Sequence, residues 1–95
     1  MIKFMLREVK SVYPLKNYHL ILEFDNDEYR IIDIKPFIKG SVFEPLKNPA
    51  FFKQVKVDPD AGTITWPNGA DLDPAVLYEK SAPFKLPGED AAKSF

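Results

Sequence analysis

The chain has 95 residues, 13 of them Lys or Arg and 14 Asp or Glu, for a formal net charge of −1. That length makes one domain, and the near-balance of charge gives no global attraction to nucleic acid or anionic lipid. No cysteine is present, so disulfides, thiolate metal sites and cysteine nucleophiles drop out together, and a reducing, cytoplasmic setting is expected.

A domain this small buries only roughly 60–65% of the surface its unfolded chain exposes. One Trp, four Tyr and eight Phe partly compensate, since each aromatic can bury about 150–250 Å². The opening residues Met1 to Arg7 lack the apolar region and small-residue cleavage site of a signal peptide. No apolar run approaches the roughly 20 residues a spanning helix needs, so no membrane association is expected.

In chain order, Val9 to Tyr13 reads as a first strand closed by Pro14. Val9 and Val12 are out of phase for strict alternation, which predicts a bulge near Lys10-Ser11. Tyr18 to Phe24 is the clearest strand, with Tyr18, Leu20, Leu22 and Phe24 on one face and His19, Ile21 and Glu23 on the other. Asp25-Asn26-Asp27 is a turn cluster. Glu28 to Ile34 returns as a third strand, Tyr29, Ile31 and Asp33 opposing Arg30, Ile32 and Ile34. The three strands make a meander.

Pro36, Gly40, Pro45 and Pro49 forbid a long helix in the next stretch. Phe37-Ile38 suits one helical turn, and Phe43 and Leu46 anchor an irregular connection. Asn48 is a good N-cap and Pro49 a good first helical residue, so a short helix near Pro49 to Lys53 follows. Gln54 to Asp58 and Thr63 to Trp66 form a second hairpin around Pro59-Asp60-Ala61-Gly62. Asn68-Gly69 turns the chain into a last helix, Ala75 to Lys80, capped by Asp73 and started by Pro74. From Ser81 to Phe95 the Pro- and Gly-containing composition predicts a flexible tail behind a single domain over 1–80.

The ordered landmarks are V-x-x-V (Val9 to Val12), Y-x-L-x-L-x-F (Tyr18 to Phe24), I-D-I (Ile32 to Ile34), G-S-V-F-E-P-L (Gly40 to Leu46) and F-F (Phe51, Phe52). They end in W-P-N-G-A-D-L-D-P-A-V-L-Y, Trp66 to Tyr78. This pattern resembles the domain-of-unknown-function 2442 family of small bacterial proteins over residues 7 to 80. The resemblance implies a compact α+β fold and no established activity. Some relatives carry a helix-turn-helix segment after this domain. Residues 81–95 are too short and Pro-rich for one, so direct operator binding is not carried over. Stand-alone members look like half of a two-gene module, which is consistent with a toxin–antitoxin-type or other partner-binding role.

The residues that could carry chemistry each have a structural alternative. Asp71 and Asp73 form D-x-D, which suits a hard cation. Asp73 directly precedes Pro74, however, which favours a helix cap, with Asp71 bracing the turn. Asp25-Asn26-Asp27 resembles a fragment of a calcium loop but lacks the following Gly and the closing Glu. His19 is the only histidine and reads as a half-exposed strand residue rather than a general base. Trp66 reads as a core plug before a turn rather than a stacking platform. Lys35, Lys39, Lys47, Lys53 and Lys56 are interrupted by acidic residues and follow no RNA-binding motif.

The expected fold is therefore α+β, an antiparallel sheet of about five strands in two hairpins with two short helices. Trp66, Asn68, Gly69, Asp71, Asp73, Pro74 and Tyr78 form its structural signature. Leu20, Leu22, Phe24, Ile31, Phe43, Leu46, Phe51, Val55, Ile64, Trp66 and Leu77 are the expected core. The expected function is a non-catalytic module that binds protein, either a second copy as a homodimer or a neighbouring-gene product. A nucleic-acid-associated regulator acting within a complex and a small-molecule-binding domain are the alternatives. No catalytic residue, cofactor or metal is expected. The candidate functional surface is His19, Ile21, Arg30, Ile32, Lys35 and Lys39, with Ile21, Ile32 and Ile34 as an apolar island needing cover.

Overall fold

The computed structural model describes residues 7–85. The expectations for Met1 to Leu6, and for residues 86–95 of the tail expected over 81–95, lie outside the described residues.

Strand β1 (Val9–Pro14) pairs antiparallel with β2 (His19–Phe24), and β2 with β3 (Tyr29–Asp33). The register shifts between Val9 and Ser11. This is the bulge that brings the out-of-phase Val9 to the core face. Pro14 can end a strand here because it lies on the outermost strand of the sheet. The turn between β2 and β3 is held by Asn26, whose Oδ1 accepts from the Glu28 N–H at 3.2 Å. Asp27 takes a left-handed conformation, φ 66°, which Asp tolerates better than most residues.

That turn sets a register that corrects the sequence reading. Leu20 lies opposite Ile32, Leu22 opposite Arg30, and Ile21 opposite Ile31. Directly opposed residues of an antiparallel pair share a face. Ile32 and Ile34 therefore join Leu20, Leu22 and Phe24 in the core, with Ile32 only 3% exposed. The expected island of Ile21, Ile32 and Ile34 does not exist, and Ile31 leaves the core for the outer face. The alternation along each strand was legible; which set matched which was not.

Proline-led 3₁₀ turns at Lys35–Phe37 and Glu44–Lys47 carry the chain under this face, with Leu46 fully buried. Helix α1 (Pro49–Phe52) follows, its first turn capped by Asn48 Oδ1, which accepts from Ala50 N–H at 2.8 Å. Phe52 is its buried aromatic; Phe51 and Phe43, both expected in the core, are only partly buried at the margin of the core cluster.

Strands β4 (Lys56–Asp58) and β5 (Thr63–Thr65) form a separate two-stranded sheet beside β1, rather than extending the main one. The Val9 N–H donates to the Gly62 carbonyl at 3.0 Å and ties the two sheets together. Gly62 has φ +70°, and a Cβ there would come within 3.0 Å of Glu8, so the turn accepts no larger residue without a shift.

Helix α2 (Pro74–Lys80) is followed by β6 (Ala82–Pro83), which pairs with β3 and completes the sheet order β1-β2-β3-β6. Ser81, expected to open a flexible tail, is buried, and Ala82–Pro83 are sheet. One sheet face packs against both helices and the small hairpin. Trp66, Phe24, Phe52, Leu20, Leu22, Ile34, Leu46, Ile64 and Leu77 fill that interior. The other face has no layer over it among the described residues.

Candidate functional site

The outer sheet face is built by register. Tyr13 lies opposite Ile21, Ile21 opposite Ile31, and Ile31 opposite Ala82. These four form one apolar row across all four strands. On one side runs Ser11, Glu23 and Tyr29, and on the other His19 and Asp33. Tyr13 is exposed, and Ile21 and Ile31 are half-buried without packing on the core. Ser11 Oγ donates to Glu23 Oε1 at 2.7 Å, and Lys10 Nζ stands 3.9 Å from Glu23 Oε2.

Of the sequence-predicted surface, the structure brings only His19 and Ile21 to this face. Ile32 is in the core. Arg30 lies on the inner face, its side chain 12% exposed. Its position between Glu28 and Ile32 on the core-facing alternation was the signal that could have placed it. Lys35 and Lys39 are exposed on the connection after β3. Among the described residues, Lys47 pairs with Glu44 at 3.1 Å, and no carboxylate lies within salt-bridge reach of Lys35, Lys39, Lys53 or Lys56.

Arg30 is instead the centre of a clamp. Its Nε donates to Ser81 Oγ and its Nη2 to the Ser81 carbonyl, both at 2.7 Å. Its Nη1 donates to Glu28 Oε2 at 2.5 Å, and its guanidinium lies 4.3 Å from the Tyr78 ring centroid. The Tyr78 hydroxyl donates to the other Glu28 oxygen, also at 2.5 Å. Hydrogen bonding from Tyr78 holds the Glu28 carboxyl below the usual carboxylate range, Asn26 and Arg30 adding to it while partial burial opposes. Ser81 Oγ donates to the Tyr78 carbonyl at 2.9 Å, satisfying one of the orphan carbonyls at the end of α2. The roles of Glu28 and Ser81 were not legible in the sequence.

The signature segment is accounted for structurally. Trp66 is 1% exposed, and its Nε1 donates to the Phe52 carbonyl at 2.9 Å. Asn68 Nδ2 donates to the Val42 carbonyl at 2.8 Å, and its Oδ1 accepts from Ala70 N–H at 3.2 Å. Gly69 supplies φ +89° to the turn. Asp71 bridges to Thr65 through the backbone. Asp73 Oδ1 accepts from Ala75 N–H at 2.8 Å, and Pro74 opens the helix. Asp73 is thus a cap, and no three His, Asp or Glu residues among those described are grouped as metal ligands.

One further feature escaped the sequence. Lys16–Tyr18 is a tight turn in which Asn17 (φ 60°) and Tyr18 (φ 63°) are both left-handed. Asn accepts this conformation, but for an aromatic residue it costs of order 1–3 kcal/mol. Tyr18 is held there by three contacts. Its carbonyl accepts from Ile34 N–H at 2.8 Å, its hydroxyl donates to the Lys47 carbonyl, and its ring meets Phe52 edge-on at 5.3 Å. His19 Nδ1 donates to the Asn17 carbonyl at 2.9 Å, which fixes its tautomer and pins the same turn. Beside the turn lies a cavity of about 270 Å³ lined by Leu15, Lys16, Asn17, Tyr18, Pro49, Phe52 and Lys53.

A family model described as a protein of unknown function, DUF2442, matches residues 9–83. The chain belongs to that family. No curated protein and no solved structure gives a significant match. The DUF2442 span opens on the first residue of β1 and closes on the last of β6. It therefore includes Ser81 and the closing strand, three residues beyond the stretch 7–80 that the resemblance covers. The clamp of Glu28, Arg30, Tyr78 and Ser81 lies wholly within the DUF2442 domain.

Proposed function

We propose that this DUF2442 domain is a non-catalytic protein-binding module that associates with a second copy of itself through the outer sheet face. The supporting observation is the row Tyr13, Ile21, Ile31 and Ala82, which runs across the whole sheet and is not packed on the chain's own core. Apolar rows bordered by polar ones are the ordinary surface of a sheet that stacks on another layer.

The bordering rows favour self-association. A two-fold axis along the apolar row stacks two sheets about 10 Å apart with the row on itself. Positions two residues to either side of the row then face each other. Glu23 meets the partner's His19, and Tyr29 meets the partner's Asp33. The second sets a hydroxyl against a carboxylate, and each pairing occurs twice by symmetry.

The footprint bounds the strength. Four strands by about five residues cover roughly 19 by 17 Å, well below the roughly 800 Å² per partner of a stable interface. Weak, concentration-dependent association is the consequence. Light scattering across the micromolar range tests it. The mass rises toward that of a dimer, Ile21→Lys abolishes the rise, and Val42→Lys, an exposed apolar site elsewhere, leaves it intact. A mass that stays at one chain throughout, or equal loss in both variants, contradicts the proposal.

A further inference from the structure

The cavity beside the left-handed turn is independent of the sheet row. Its floor is apolar: Leu15, Pro49 and the Tyr18 and Phe52 rings, which meet at 76° and form a corner. Leu15 is among the few large apolar side chains left exposed. The two walls come from different parts of the chain, the turn after β1 and helix α1, and each brings one lysine, Lys16 and Lys53.

The hydrogen-bonding groups of this cavity are nearly all committed or donors. The backbone oxygens of Asn17, Tyr18, Pro49 and Phe52 already accept from His19 Nδ1, Ile34 N–H, Lys53 N–H and Trp66 Nε1. The Lys16 carbonyl accepts from His19 N–H. The Tyr18 hydroxyl is spent on the Lys47 carbonyl. Of the polar side chains lining it, the Asn17 carboxamide and the two ammonium groups remain. Neither lysine has a carboxylate within salt-bridge reach among the described residues. A ligand that satisfies this site must present an acceptor, best an anion, beside an apolar body.

We infer that the cavity between the Lys16–Tyr18 turn and helix α1 binds a small organic monocarboxylate with a flat apolar body, its carboxylate held between Lys16 and Lys53. At about 270 Å³ the cavity falls just under the roughly 300–1,000 Å³ of drug-sized sites. It suits one ring and a head group. A carboxylate carries less charge than a phosphate and so costs less to bring against the apolar floor. The left-handed backbone at Asn17 and Tyr18 fits this role. Strain of that kind gathers at ligand clamps, and here it sets the Tyr18 ring in the cavity floor.

The test is an amide chemical-shift titration of the 95-residue chain with phenylacetate, with phenylacetamide and acetate as controls. Phenylacetate shifts residues 15–18 and 50–53 saturably in the millimolar range. Phenylacetamide keeps the ring but loses the charge and binds at least about threefold more weakly; Lys53→Gln or Lys16→Gln weakens phenylacetate by a similar factor. Acetate alone shifts nothing saturably. Both lysines are exposed, so these variants fold, and buried-type Trp66 emission verifies it. Equal affinity for the acid and the amide overturns the carboxylate assignment. No saturable shift at these residues at tens of millimolar phenylacetate overturns the site.

Discussion

The Arg30 guanidinium lies 4.3 Å from the centre of the Tyr78 ring, and the two side chains share a single carboxylate, Glu28. This joins strand β3 to the end of helix α2 and, through Ser81, to strand β6. Arg is required for its fork: two nitrogens reach Ser81 while a third reaches Glu28, and the plane stacks on the ring. Lys offers one point charge and no plane. Arg30→Lys is expected to lower stability by about 2 kcal/mol, read by urea unfolding. An unchanged midpoint would show that the clamp contributes nothing.

The same carboxylate gives the fold an acid sensitivity of known sign. The folded-state pKa of Glu28 is lowered from its ordinary 4.5. Its contribution is therefore fully present above that ordinary value and is lost as pH falls through the lower folded one. Glu28→Gln should flatten the loss of stability in that acid window relative to the natural chain. Parallel pH profiles for the two proteins would contradict the role of Glu28.

Asp73 makes a separable prediction. Its carboxylate caps α2 through Ala75 N–H, so Asp73→Ala should cost about 1 kcal/mol, and Asp73→Asn much less. Millimolar Mg²⁺ or Ca²⁺ should leave the melting temperature unchanged. A metal-dependent rise would return the Asp71–Asp73 pair to the cation reading.

Trp66 is expected to fluoresce as a buried indole, since it is 1% exposed and hydrogen-bonded to the Phe52 carbonyl. Trp66→Ala removes the largest core side chain and should cost about 3–5 kcal/mol. A water-exposed emission maximum in the folded chain would rule out the core position.

Much of this architecture could be read from residue order, and the limits have physical causes. Alternation along 20–24 fixes one buried face, and Asn48-Pro49 and Asp73-Pro74 mark helix starts, because these signals are local. Ile31 and Ile32 were misassigned because local alternation is symmetric. Only the turn at 25–28 decides which set opposes Leu20 and Leu22. Strand β6 was missed because a two-residue strand carrying Pro83 has no periodicity; its pairing depends on β3. Arg30 shares the alternation set of Ile32, so the same register ambiguity places it on the outer face. Its partners Tyr78 and Ser81 lie about fifty residues away. The left-handed Tyr18 has no signature of its own, since Asn17 alone suggests only a turn. Of the outer face, residue order marks His19 and Ile21 but not Ile31, for the same register reason.

The central claim is that the row through Ile21 and Ile31 buries itself against a second copy. Paramagnetic relaxation by a soluble agent, read on isoleucine and valine methyl groups at low and high protein concentration, tests it most directly. The account predicts that Ile21 and Ile31 become protected as concentration rises, while Val42 stays accessible and Ile32 stays protected throughout. Ile21 and Ile31 methyls equally accessible at every concentration would contradict it.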